Sequence, residues 1–143
     1  MKRFILQLST LITAVVLLAS CEKAENKEIF LGGKSPVLSA SVSGSIPLSF
    51  ATQDNQAVKF SWTNPDFEFA SGISSQNVTY LLEIDEVGKN FAGPNKKSIS
   101  VSNDLSVQYT QREFNIVLSD LKLKLGQSAS IETRISASLG SDA

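Results

Sequence analysis

Ala129-Ser130-Ile131-Glu132-Thr133-Arg134-Ile135-Ser136-Ala137-Ser138-Leu139 alternates strictly between apolar or small residues and polar ones. Side chains of a strand point to opposite faces at successive positions, so this run predicts a strand with one buried and one wet face. Val78-Thr79-Tyr80-Leu81-Leu82-Glu83-Ile84-Asp85 carries the same signature, with Val78, Tyr80, Leu82 and Ile84 on one side. In Val58-Lys59-Phe60-Ser61-Trp62-Thr63 the larger apolar groups again fall on every second residue.

Shorter runs fill the gaps. Strands are predicted at 37–42 (with a possible continuation through 46–50), 57–63, 78–85, 97–102, 105–109 and 129–138. Gly44 and Pro47 break the first, and Asn64-Pro65-Asp66 marks a turn after the second. Trp62, Tyr80 and Ile135 are the expected core anchors. One stretch breaks the pattern: Phe114, Val117, Leu118, Leu121 and Leu125 recur at helical spacing. Thr110-Gln111-Arg112-Glu113 reads as a capping box, and Gly126 suits the residue just past a helix end. The pattern predicts a helix over about 111–125, before the last visible strand and covering one open end. Short strands separated by turn signals predict an all-β fold, an immunoglobulin- or fibronectin-III-like antiparallel β-sandwich with one short helix.

The N-terminal residues read differently. Met1-Lys2-Arg3 is a short positive segment, Phe4 to Leu18 is mainly apolar, and Leu18-Ala19-Ser20-Cys21 follows. This is the layout of a secretory signal over residues 1–20. Leu18, Ala19 and Ser20 before Cys21 resemble a bacterial lipobox. That resemblance implies cleavage before Cys21, a lipid on its sulfur and an acylated new N-terminus. Residues 21–34 begin with a charged, non-periodic stretch and read as an acidic tether. Glu22, Glu25 and Glu28 resemble a surface-export signal loosely, since lysines intervene; a plain linker explains them equally well.

Composition narrows the chemistry. The 143 residues include no His and one Cys. This excludes Ser-His-Asp and Cys-His catalysis, an internal disulfide and Cys-cluster zinc. A formal charge of −1 leaves no basic footprint for nucleic acid.

The order of features carries a family resemblance: the lipobox; Ser35-Pro36-Val37-Leu38; Val58-Lys-Phe-Ser-Trp62; Tyr80-Leu-Leu-Glu-Ile-Asp85; Gly88-Lys-Asn-Phe91; the amphipathic 111–125 segment; and Thr133-Arg-Ile-Ser-Ala137. This order resembles the N-terminal region of SusE-type outer-membrane lipoproteins of starch-utilisation systems. The resemblance implies a membrane-proximal spacer sandwich over residues 35–143, lipid-anchored at the outer membrane and cell surface. It implies work beside a TonB-dependent porin and a glycan-binding lipoprotein, with polysaccharide bound by domains downstream. The sequence stops at Ala143, so the expectation is a truncated chain lacking the final strand of the sandwich, with the 129–138 strand left at an edge.

No residue stands out as catalytic or metal-binding, and no cofactor is expected beyond the lipid on Cys21. Glu83 and Asp85 share a strand face and are expected to be exposed and solvated. Asp66 and Glu68 form a second acidic pair without calcium-loop spacing. Phe67 and Phe69 are the candidate carbohydrate contacts, and they could equally pin their loop to the core. Phe91 is expected to plug the sandwich end. The expected role is non-enzymatic. The rivals to a spacer are a direct carbohydrate-binding module and a generic adhesion or protein-interaction sandwich.

Overall fold

A computed structural model describes residues 29–73, 77–124 and 126–140. Cys21, its lipobox and residues 22–28 of the tether lie outside the described residues, as does Leu125. The elements are β1 (Phe30–Gly32), β2 (Leu38–Ala40), a 3₁₀ turn (Phe50–Thr52), β3 (Gln56–Trp62), β4 (Glu68–Phe69), β5 (Gly72–Ile73), β6 (Val78–Glu86), β7 (Lys97–Ser102), β8 (Ser106–Thr110), α1 (Gln111–Asp120) and β9 (Ile131–Leu139). All pairings are antiparallel. The sheet β2-β3-β8 lies against the sheet β7-β6-β9, and β1-β4-β5 forms a small third sheet. The all-β sandwich with one short helix is therefore the fold.

Each main sheet has one dominant central strand. Val58, Phe60 and Trp62 of β3 turn inward, as do Tyr80, Leu82 and Ile84 of β6. The Trp62 and Tyr80 rings meet between the sheets with centroids 5.5 Å apart. Their contact joins strands 18 positions apart through a single apolar layer.

The helix begins as its sequence dictates. The Thr110 hydroxyl accepts from the Glu113 N–H (3.3 Å), while the Glu113 carboxylate accepts from the Thr110 N–H (2.8 Å). The Thr110 N–H, together with the Thr110 hydroxyl that donates to the same carboxylate at 2.9 Å, pulls the Glu113 carboxyl below its ordinary pKa range. Phe114, Val117 and Leu121 then close one end of the core, with Phe114 packed 6.2 Å from Phe60 and 6.0 Å from Tyr109 between ring centroids.

The helix stops at Asp120 rather than 125. Leu121 caps it and Lys122 adopts the left-handed conformation (φ 58°). That reversal returns Leu123 to the core, which a continuing helix would carry past the end of the sandwich. Gly126, also left-handed (φ 71°), belongs to a later turn. Asp120 pairs with Lys97 of β7, tying the helix end to the opposite sheet.

Three further expectations change. The stretch read as tether contains a strand, because β1 pairs with β4 through Phe30↔Phe69. The 46–50 segment is no strand. Ile46 and Leu48 pack on the core, and the Gln111 side chain accepts from the Ser49 N–H and the Thr52 hydroxyl instead of a ladder forming. Ile135 is only half-buried, because β9 lies at the sheet edge with one side uncovered.

Phe114→Ala is expected to lower stability by about 3–5 kcal/mol, the cost of a buried aromatic and the cavity it leaves. Chemical denaturation measures this. A loss below about 1 kcal/mol would show that the helix does not seal the core.

Candidate functional site

Two side-chain groups stand apart from the ordinary core. The first is aromatic. Phe67 lies just before β4 and is half-buried, whereas Phe69 within β4 is buried. Both stand edge-on to Phe30, with interplanar angles of 67° and 63° and centroids 5.7 and 5.5 Å away. A Cβ on Gly33 would overlap the Phe67 ring, so the chain crosses that ring where only glycine fits. The two candidate carbohydrate residues thus both pack against Phe30 of β1, and Phe69 is buried. A shallow open groove of about 440 Å³ runs beside them, between Gly33–Pro36 and the Ile135–Ala137 stretch of β9. Asp66, left-handed at φ 48°, meets Lys34 at 3.6 Å on the exposed rim.

The second group corrects the reading of Glu83 and Asp85. Neither is solvated: they are only 4% and 3% exposed. Their side chains leave β6 on the face opposite Tyr80 and Ile84, and neighbouring elements cover that face. Register places Arg134 of β9 and Ser98 of β7 on either side of Glu83. Arg134 Nε reaches Glu83 Oε2 at 2.5 Å, and Lys96 closes on the other carboxylate oxygen.

The connection between β6 and β7 lies across this lock. The Asn90 N–H donates to Glu132 at 2.7 Å. The Arg134 guanidinium sits 4.3 Å over the Phe91 ring, within cation–π range. Phe91 therefore lies under Arg134 on the outer face of the sheet and does not plug the core end. It does so at φ 56°, a left-handed conformation that costs energy for a bulky residue. Asp85 Oδ1 accepts from the Glu86 N–H at 2.9 Å, while its buried Oδ2 has no partner among the described residues.

The Arg134 hydrogen bond is the largest influence on Glu83 and holds its carboxyl below the ordinary range; Lys96 acts the same way and burial opposes both. An ionised Glu83 accepts hydrogen bonds and does not offer a proton near neutral pH. Among the described residues no group of three or more potential metal ligands converges, and no helix is long and apolar enough to cross a membrane.

The lock escaped sequence reasoning because its parts are far apart in the chain. Glu83 and Arg134 are separated by 51 residues and meet only through strand register. The alternation of β9 did place Arg134 on the wet face, which was the available signal.

The structure thus defines an antiparallel β-sandwich module with an ion-locked outer face and an aromatic cluster packed around Phe30. The model of the SusE outer membrane protein family matches residues 23–136, and the chain belongs to that family. It is an outer-membrane protein of the kind that serves starch-utilisation systems. No curated protein and no solved structure matches the chain.

Glu83→Gln is expected to cost about 1–3 kcal/mol, since a charge-assisted hydrogen bond is lost while Arg134 can still reach water. Because the folded Glu83 pKa is lowered, its contribution is complete above the ordinary Glu range. It is lost as pH falls through the lowered folded value. Urea titrations of parent and variant across pH 7 to 3 check this: the difference between them shrinks toward acid. A difference independent of pH would refute the lock.

Proposed function

We propose that this chain is a lipid-anchored, membrane-proximal spacer in a glycan-binding and uptake system at the cell surface. The family match over residues 23–136 carries the reading. Cys21 holds the lipid after cleavage behind Leu18-Ala19-Ser20, and the following charged residues lead to the sandwich at β1. The sandwich holds the glycan-binding partners of the system away from the bilayer. These partners are a TonB-dependent porin and a glycan-binding lipoprotein, and polysaccharide is gripped by them and by other domains. The module performs no catalysis.

The packing of Phe67 and Phe69 against Phe30 favours a spacer over a direct binder. A sugar ring stacks on an open aromatic face, whereas Phe69 is buried and both rings are engaged in T-shaped contacts with Phe30. The ion-locked outer face supports the same reading, because an interlocked sheet transmits position.

Two measurements test this. Cells fed labelled palmitate are expected to label the parent chain and not Cys21→Ala; continued labelling of the variant would remove the anchor from the proposal. Calorimetric titration of the chain with starch oligosaccharides is expected to give no binding heat. Saturable heat that disappears in Phe67→Ala would establish the carbohydrate-binding reading instead.

A further inference from the structure

Exposed apolar side chains gather at one end of the sandwich. Ile29, Phe30, Leu31 and Val37 are 61%, 52%, 63% and 67% exposed, and Leu105 is exposed as well. Backbone bonds tie them to that end. The Ala70 N–H donates to the Ile29 carbonyl, the Thr63 N–H to the Val37 carbonyl and the Trp62 N–H to the Leu105 carbonyl. All of these groups therefore surround the exit of β3. The run Ile29-Phe30-Leu31-Gly32-Gly33 carries no charge. Phe30 spends part of its ring on Phe67 and Phe69. Leu31 alternates with it and leaves β1 on the other side. A single exposed leucine is ordinary, but neighbouring apolar groups framed by polar ones mark a contact surface. Lys34 and Asp66 supply the polar frame here.

What covers this end follows from the chain that leads to it. Only eight Cα–Cα steps separate Cys21 from Ile29. Whatever their conformation, they span at most about 28 Å. With a lipid on Cys21, the bilayer surface is never farther than that from β1. A partner protein would have to compete at this end with a surface that is always present. Tethering also raises the local concentration, so a contact too weak to hold a free protein is occupied once the chain is anchored.

We infer that Ile29, Phe30, Leu31 and Val37 rest on the lipid surface that holds Cys21, seating the sandwich with its β1 end down and its α1 end outward. This rests on the lipid reading of Cys21 given above and adds an orientation to it. The contact is shallow for a stated reason. β1 is paired with β4 on one side, and no strand among the described residues pairs with its other side. Unpaired backbone groups are not carried into hydrocarbon. Only the side chains enter, at the boundary of headgroups and acyl chains, while Lys34 and Asp66 stay at headgroup level. The far end offers a contrast. Phe50 is also exposed, but it sits where Gln111 at the start of α1 receives the Ser49 N–H, at the opposite end of β3.

The test supplies the anchor chemically. The processed chain, Cys21 to Ala143, is coupled through its only thiol to a maleimide lipid. The vesicles contain phosphatidylethanolamine and phosphatidylglycerol, with or without brominated acyl chains, and bromine quenches nearby tryptophan. Leu31→Trp is expected to lose fluorescence in the brominated vesicles, and Phe50→Trp to keep it. The Trp62 signal common to both is subtracted with the parent chain. Adding Ile29→Ser and Val37→Ser to Leu31→Trp is expected to weaken the contact about tenfold, read as lost quenching with an unchanged circular dichroism spectrum. If Leu31→Trp unfolds, Ile29→Trp takes its place, with Val37→Ser added alone. An unquenched tryptophan at the β1 end overturns the proposal and leaves the patch to a protein partner. Equal quenching of Phe50→Trp, or quenching indifferent to the serine changes, overturns it as well. Because the thiol coupling replaces the cell's lipid, a negative result counts against the contact alone, while palmitate labelling judges the anchor.

Discussion

The central strand β6 is covered on both faces, and most of the structure is organised around that fact. On one face Tyr80, Leu82 and Ile84 meet the opposite sheet, with the Trp62–Tyr80 contact at the centre. On the other face two buried carboxylates would be intolerable in isolation, because removing a charge from water costs several kcal/mol. Glu83 is acceptable there only because Arg134 and Lys96 neutralise it from opposite sides. Arg134 is itself positioned by β9 and stacked on Phe91. Strand register, connection and charge balance therefore form one coupled arrangement.

The same coupling bears on function. A sandwich stabilised only by its inner layer leaves its outer faces free to carry exposed side chains for binding. Here the connection and ion pairs cover the outer face of β7-β6-β9 around Glu83 and Asp85, and the aromatic residues near β4 pack against β1. That layout favours the proposed spacer over a direct ligand binder. That agrees with an accessory role among outer-membrane proteins of a glycan-uptake system.

Much of the fold was legible because period-two alternation survives wherever a strand buries one face. The runs at 57–63, 78–85 and 97–102 fall within a residue or so of β3, β6 and β7. The capping box located the start of α1 to the residue, since its two hydrogen bonds are local. Its end was misplaced because helical spacing continues to Leu125 in sequence, whereas the core beneath it ends at Leu121. β4 and β5 are two residues each, too short to show any period. The 46–50 segment carries apolar residues at strand spacing, yet Gln111 takes up a Ser49 backbone donor before a ladder can form.

The sequence by itself determined the longer strands, the apolar face each turns inward and the start of the helix, because alternation and capping are properties of neighbouring residues. It also set the lipobox resemblance, which depends on four adjacent residues at Cys21. Only the tertiary structure decided that Glu83 and Asp85 are buried, that Phe91 lies beneath Arg134, and that Phe67 and Phe69 turn toward Phe30. The same alternating pattern describes a strand whose polar face is wet and one whose polar face is covered by another part of the chain. Contacts across 51 residues choose between the two.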